Sequence, residues 1–150
     1  MSPRVAPEVS GQSGRVDRDE QRARVAAARV GRLATVTVDG DPHLVPCCFA
    51  VVGPAIVTAV DAKPKSTTAL RRLDNIRSTA RAALLVDHYD DTDWTLLWWV
   101  RVDGTGRILE AGSEREAAVG LLRDKYPQYV TVGVPGPVVA IDVDSWRSWP

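Results

Sequence analysis

The sequence has few of the residues that cross-link a fold or hold a structural metal. Its 150 residues include two cysteines and two histidines. Cys47 and Cys48 are neighbours, and neighbouring side chains on a strand point to opposite faces, so the pair does not join distant segments. With His43 and His88 far apart, no zinc-ligand spacing is present. The sequence offers neither a disulfide scaffold nor a metal site, and we expect both thiols to stay reduced and to pack as small hydrophobes.

The chain also lacks an excess of charge of either sign. Lys and Arg together number 19, as do Asp and Glu, and the formal net charge is zero. A DNA-coating domain normally carries a basic excess, so we expect no nucleic-acid partner. No apolar run approaches the roughly 20 residues that cross a bilayer, and the first thirty residues lack an apolar signal core. We therefore expect a cytoplasmic protein without a membrane span.

Hydrophobic periodicity and turn residues predict one domain, mainly β with peripheral helices. Residues 1–15 have no periodicity and are predicted to be a flexible N-terminal tail, and residues 16–150 form the single domain. Helices are predicted at 17–30, ended by Gly31, at 66–77, and at 113–126, where Ser113 and Glu116 form a capping box. Asp103-Gly104 is predicted to be a hairpin turn. The predicted strands are 33–38, 43–52, 55–60, 81–86, 94–102, 106–110 and 138–143. Hairpin connections predominate, which favours an antiparallel, closed or half-closed barrel.

The segment before the second predicted helix has the features of an anion site. Lys63 and Lys65 flank Pro64, which favours an extended backbone and places both ammonium groups on one side. Ser66 or Thr67 then caps a helix whose free N–H groups point back toward the lysines. Taken alone, the segment also fits a solvated loop before an ordinary helix cap. Three further cations would extend the positive surface: Arg71, Arg72 and Arg77.

Aromatic and acidic residues cluster in the next part of the chain. Trp94, Trp98 and Trp99 are predicted to share one strand, with Trp99 on the opposite face, and to fill the core or a dimer interface, or to wall a substrate pocket. His88 lies in an acidic loop at 87–93, where we expect it to be exposed to solvent. The spacing of the acids does not fit an EF-hand, and a solvated loop is the better interpretation.

Three segments in this order carry a family resemblance. They are LATVTVDGDPHLVPCCF at 33–49, VDAKPKSTTALRRLDNIR at 60–77, and RAALLVDHYDDTDWTLLWWVRVDGTGRI at 81–108. Over about residues 17–146 the chain resembles the pyridoxamine 5'-phosphate oxidase-like split-barrel superfamily, and within it the deazaflavin-dependent oxidoreductases that use coenzyme F420. The resemblance implies a six-stranded split β-barrel of the FMN-binding kind, a homodimer, and a flavin or deazaflavin in a cleft between subunits.

The resemblance also implies which residues bind the cofactor. The strand at Pro46 and Cys47 is similar to the one that borders the reactive ring. In the family pattern a basic residue directly precedes the Thr of the phosphate turn, but Ser66 stands there in this chain, so Lys65 is assigned to the phosphate. The full set of cofactor-binding residues is Pro46, Cys47, Thr58, Ala59, Val60, Lys63, Lys65, Ser66 and Thr67.

The function that the resemblance implies is hydride transfer from reduced F420 to a conjugated organic acceptor. An FMN-dependent enzyme of the pyridoxamine 5'-phosphate oxidase type is the first alternative, because both cofactors carry a phosphate. A non-catalytic cofactor- or haem-binding protein is the second. The sequence identifies no catalytic residue, and the source of a proton stays open among solvent, Tyr126, Tyr89 and His88.

Overall fold

The computed structural model describes residues 15–60 and 67–150, with the side chains of all of these except 67–70. The predicted tail therefore lies outside the described residues, apart from Arg15. So do Lys63, Lys65 and Ser66 of the predicted anion site. None of the described helices is long and apolar enough to cross a lipid bilayer.

The predicted helices are present, and their ends lie within three residues of the predicted ones. Helix α1 (Arg18–Ala27) begins after Asp17, whose carboxylate accepts a hydrogen bond from the Glu20 amide at 2.9 Å. It ends three residues before the predicted boundary, because Ala28 is already extended. Helix α3 (Ser113–Lys125) is preceded by Gly112 at φ 100° and has no side-chain cap, so the predicted capping box is wrong. The remaining described helices are α2 (Thr67–Thr79) and the unpredicted α4 (Gln128–Val132).

The strands of the described residues form one antiparallel sheet. They are β1 (Gly31–Val36), β2 (Pro42–Cys47), β3 (Ala50–Val52), β4 (Ala55–Ala59), β5 (Arg81–His88), β6 (Trp98–Leu109) and β7 (Val138–Trp149). Their order across the sheet is β2-β1-β5-β6-β7-β4-β3. The two outermost strands, β2 and β3, are consecutive in the chain and are joined by Cys48 and Phe49. The sheet therefore curls until its edges meet, which confirms a mainly β, split-barrel fold with peripheral helices.

The strand count is seven in the described residues, where six were predicted from the resemblance. The predicted strand at 43–52 is divided into β2 and β3, and those at 94–102 and 106–110 are joined in β6. Asp103-Gly104 is a bulge opposite β7 rather than a turn. A Cβ on Gly104 would collide with the Asp142 carbonyl oxygen, so glycine here permits the close approach of two strands. Trp94 lies in a 3-10 turn (Trp94–Leu96), so the prediction of one strand for all three tryptophans is wrong.

Buried side chains form two layers on opposite faces of the sheet. The inner layer fills the barrel, and α2 covers it with Leu73 and Ile76. The outer layer packs α3 against β3, β4 and β7 through Val119 and Leu122. Alternation along β7 separates the layers, since Val138 and Ala140 belong to the outer one and Val139 and Ile141 to the inner one.

A tyrosine at the end of α3 fixes the link between β2 and β3. The Tyr126 hydroxyl accepts a hydrogen bond from the Phe49 amide at 3.1 Å. It lies within hydrogen-bond distance of two carbonyl oxygens as well, at 3.1 Å from Phe49 and 3.0 Å from Arg29. The phenyl ring of Phe49 is fully buried. The chain that follows α1 and the chain that leaves β2 are thereby held together at one point.

Candidate functional site

A cleft of about 390 Å³ lies where the ends of β2 and β4 face α4 and the two residues after it. Pro46, Cys47, Ala59 and Val60 line it, so four of the predicted cofactor-binding residues share one wall. The opposite wall is formed by Tyr129 and the residues 132–134. Arg72 reaches it from α2, and we refer to this site as the Arg72 cleft.

Thr58 stands behind the wall rather than in it. Its side chain is buried, and the hydroxyl donates a hydrogen bond to the Cys48 carbonyl at 2.7 Å. This bond ties β4 to the link between β2 and β3, and so fixes the position of Cys47. Thr67 is the first residue of α2, and its side chain is not among those described. The lysine turn remains a prediction.

Arg72 is a buried cation without an anionic partner in the described part of the chain. It is 7% exposed, and it takes part in none of the ion pairs between described residues. Its Nε has no hydrogen-bond partner there. A buried charge is costly unless it is paired and hydrogen-bonded. The cleft therefore presents a guanidinium that an anionic ligand group would satisfy.

The neighbourhood of Arg72 is positively charged. Burial lowers the pKa of His43 on β2, and Arg71 and Arg72 lower it further. The Nδ1 of His43 is buried and lacks a hydrogen-bond partner among the described residues. A neutral imidazole is favoured here because two guanidinium groups oppose a third positive charge. The same field attracts an anion.

The described residues that line the Arg72 cleft are uncharged apart from Arg72. Burial raises the pKa of the Cys47 thiol, although a hydrogen bond to Thr58 opposes the shift. Burial also raises the pKa of Tyr129 to about 12. Both groups are protonated at neutral pH, so the thiol is a poor nucleophile and the phenol is a hydrogen-bond donor. This agrees with the expectation that the cysteines pack as hydrophobes.

Sequence reasoning missed Tyr129 and gave Arg72 only a supporting place. Tyr129 falls in a short Val- and Thr-rich segment without helical periodicity, and α4 was not predicted there. Its ring packs edge-on against Tyr126, with centroids 5.9 Å apart. Arg72 directly precedes Leu73 on α2, at the border of the apolar face, and adjacency to a buried position was the available signal.

The residues considered as proton donors do not line the Arg72 cleft. The hydroxyl of Tyr126 is occupied by backbone groups. Tyr89 is exposed and donates to the Asp91 carboxylate at 3.0 Å. His88 is exposed, as expected, and its ring stacks on Trp98 with centroids 6.1 Å apart.

Asp87 and His88 end β5 and do not lie in the predicted loop at 87–93; the acidic loop that follows them is ordered by its own carboxylates. Asp90 accepts hydrogen bonds from the Thr92 side chain and from the amides of Thr92 and Asp93, and the Thr92 hydroxyl is the largest cause of its lowered pKa. Asp93 accepts from Thr95 in the same way. No cluster of three His, Cys, Asp or Glu that would hold a metal occurs within residues 15–60 and 67–150.

A curled antiparallel sheet with a cation-bearing cleft at its split defines a cofactor-binding split-barrel protein. The chain belongs to the pyridoxamine 5'-phosphate oxidase family, whose model matches residues 17–150. No curated protein matches the sequence at a significant level.

Solved structures similar to this chain have different ligands or none assigned. The conserved hypothetical protein Rv2991 from Mycobacterium tuberculosis is 25% identical with a TM-score of 0.72, over 89% of this chain and 84% of that one. A heme binding protein from Mycobacterium smegmatis is 22% identical with a TM-score of 0.69, over 86% of this chain and 52% of that one. An FAD binding protein from the same organism is 16% identical with a TM-score of 0.59, over 89% and 94%. The last two likenesses show the fold alone.

Proposed function

We propose that this protein is an oxidoreductase that transfers hydride from reduced coenzyme F420 to a conjugated organic acceptor. The observation that carries the proposal is the buried guanidinium of Arg72, which has no anionic partner among the described residues, in a cleft whose other described lining residues are uncharged. A phosphate-bearing flat cofactor has the matching chemistry, an anionic group beside an apolar ring.

The residues present fit such a cofactor. Arg72 would receive the phosphate, with Lys63 and Lys65 of the predicted turn adding charge. Pro46 and Cys47 would border the ring, and the neutral phenol of Tyr129 would donate a hydrogen bond across the cleft. When bound, the deazaflavin supplies the hydride, and the protein contributes binding, orientation and exclusion of water.

The choice of F420 rests on the family resemblance in the sequence, and two alternatives have support of their own. FMN carries a phosphate that Arg72 would bind equally well. Haem binding is favoured by the heme binding protein of Mycobacterium smegmatis and by HutZ, the heme storage protein of Vibrio cholerae, which has a TM-score of 0.64 at 12% identity. The three functions differ in which compound binds and in whether hydride moves.

We also propose that the protein acts as a homodimer. An exposed surface outside the Arg72 cleft is rich in aromatic rings and apolar groups, namely Leu85, Leu97, Trp99 and Trp149 with Tyr89 at its edge. Trp149 is 47% exposed although it pairs with Trp99 in the sheet. A second copy of the chain would cover this apolar surface. Light scattering that gives a monomer near 16.3 kDa at micromolar concentration would exclude it.

The experiment that tests the function titrates apoprotein separately with F420, FMN and haem and follows fluorescence and absorbance. Reduced F420 is then mixed with the protein and menadione, and its oxidation is followed against a protein-free control. We expect F420 to bind most tightly and its oxidation to be accelerated. Tight FMN or haem binding without F420 binding refutes the proposal in favour of the corresponding alternative. F420 binding without acceleration leaves a cofactor carrier and refutes hydride transfer to the quinone.

A further inference from the structure

A second cleft, of about 620 Å³, lies between α1, the start of β1 and the end of β5. Its walls combine Arg24, Arg29 and Arg32 with the ring of Trp98, and we refer to it as the Trp98 cleft. Val30 lines both this cleft and the Arg72 cleft. Pockets for small ligands span about 300–1,000 Å³, so this cleft is large enough for an aromatic molecule of ordinary size.

The cleft has more guanidinium groups than carboxylates. Arg24 is paired with Glu20 at 3.2 Å, and Arg32 is paired with the other carboxylate of the wall, Asp87, at 3.1 Å. Arg29 donates to the Lys125 carbonyl at 2.8 Å and has no ion pair among the described residues. The wall is therefore one positive charge in excess.

Arg24 also has an N–H group to spare. Its Nε is used by Glu20, but its Nη1 is buried and has no hydrogen-bond partner among the residues that the structure describes. A buried donor without an acceptor is unfavourable. The Arg24 side chain is 23% exposed, so a ligand carboxylate would reach its guanidinium and balance the excess charge of the wall.

The remaining recognition surface is flat. The Trp98 ring packs against the barrel core on its inner side, which fixes its orientation. The guanidinium carbon of Arg24 lies 4.9 Å from the ring centroid, and the His88 ring is stacked at 6.1 Å with 23° between the planes. Planar π systems stack favourably on such surfaces.

We propose that the Trp98 cleft binds a planar conjugated carboxylate, with the carboxylate on Arg24 and the ring system against Trp98 and His88. The Trp98 cleft would bind this carboxylate whether or not the Arg72 cleft holds a cofactor. Because Val30 lines both clefts, a ligand here would lie beside a cofactor in the Arg72 cleft and would be the acceptor of the hydride; that assignment rests on the proposed function.

The test uses two planar carboxylates of different size, 2-naphthoate and metal-free protoporphyrin IX, with 2-naphthalenemethanol as the uncharged control. Each is titrated against the full chain without cofactor, by calorimetry or by quenching of tryptophan fluorescence. We expect Arg24→Gln to weaken carboxylate binding about tenfold, the loss of one charge-assisted hydrogen bond, and to leave the alcohol unaffected.

Arg22→Gln is the matched control on the same helix. The Arg22 guanidinium lies over Trp146, 5.6 Å from the ring centroid, and does not line the cleft. It should change carboxylate binding less than about twofold, because exposed charges at a distance are screened. Thermal unfolding of both variants shows that they are folded.

The outcomes show whether the Trp98 cleft is a binding site and, if it is, which size of carboxylate it accepts. Saturable binding of 2-naphthoate supports a small acceptor, and binding of the porphyrin alone supports a tetrapyrrole carboxylate. If neither binds at millimolar concentration, or if Arg24→Gln and Arg22→Gln have equal effects, the proposal is overturned. Carboxylate binding that persists in a protein that binds neither F420 nor FMN would refute the proposed function while leaving this site standing.

Discussion

Replacement of Arg72 by methionine should weaken cofactor binding without destabilising the apoprotein, which is unusual for a buried charged residue. Breaking a buried ion pair typically destabilises a fold by about 3–5 kcal/mol, because one charge is left unpaired. Arg72 is 7% exposed and has no carboxylate partner among the described residues, so Arg72→Met breaks no ion pair within that part of the chain. Methionine retains most of the apolar stem. We expect the free energy of unfolding of the apoprotein to change by less than about 1 kcal/mol, or to rise.

Arg72→Met should weaken cofactor binding even though it leaves the apoprotein stable. A charge-assisted hydrogen bond contributes about 1.5–3 kcal/mol, so loss of the guanidinium should raise the Kd tenfold to a hundredfold. Saturation with ligand at about 100 times its Kd stabilises a protein by about 2.7 kcal/mol, or roughly 5–11 °C in Tm for a chain of this size. Wild type should show this increase with F420 or FMN, and Arg72→Met at the same ligand concentration should show much less of it.

Arg71→Met is the matched control, because Arg71 is the adjacent cation of α2 and is exposed. It removes the same charge from the same helix, so a purely long-range effect would be similar in both variants. Calorimetric titration gives the Kd, and thermal unfolding followed by circular dichroism gives the stability. The reasoning fails if Arg72→Met binds cofactor as tightly as wild type, or if it destabilises the apoprotein by more than about 3 kcal/mol, the range of a broken buried pair.

Three further predictions follow from individual side chains. Burial and the nearby guanidinium groups lower the pKa of His43, so the free energy of unfolding should fall as the pH drops through the unfolded-state pKa of about 6.5. In an NMR titration, the pKa of His43 should rise when a phosphate-bearing ligand binds or when Arg72 is replaced. Cys47→Ala should leave hydride transfer largely intact. The Cys47 thiol, whose pKa burial raises, should react with iodoacetamide only at alkaline pH, and rapid reaction at pH 7 would contradict this. Tyr126→Phe should destabilise the protein by about 1–3 kcal/mol in denaturant unfolding, because the Phe49 amide loses its acceptor, and a change within error would show that water replaces the hydroxyl.

Local sequence signals predicted most of the elements but could not separate two uses of the same dipeptide. Asp39-Gly40 forms a turn, with Gly40 at φ 89° and its amide bonded to the Thr37 carbonyl at 3.0 Å. Asp103-Gly104 has the same composition and lies within a strand, because β7 approaches it from more than thirty residues away along the chain. What decides between turn and bulge is a tertiary contact, and no local pattern contains it.

The residues of the candidate site, too, were only partly predictable from local sequence signals. The wall of Pro46, Cys47, Ala59 and Val60 followed from a resemblance, which carries tertiary information that periodicity lacks. Arg71 and Arg72 are neighbouring arginines, and the sequence predicts a positive surface for both. One is exposed and the other is buried in the cleft, because the orientation of α2 is set by its apolar residues against the barrel. An unpaired buried arginine becomes visible only when its surroundings are known.

The short segment that joins α1 to β1 lines both clefts. At Gly31 the chain passes so close to the core that a Cβ would lie 2.6 Å from the Leu84 side chain, and glycine is therefore needed where α1 gives way to β1. Its neighbour Val30 lines both clefts. Tyr126 bonds to the carbonyls of Arg29 and Phe49, and so ties a wall of the Trp98 cleft to the β2–β3 link beside the Arg72 cleft. A displacement of this segment would change both cavities together, so ligands in the two clefts are expected to influence each other through it, and not through direct contact alone.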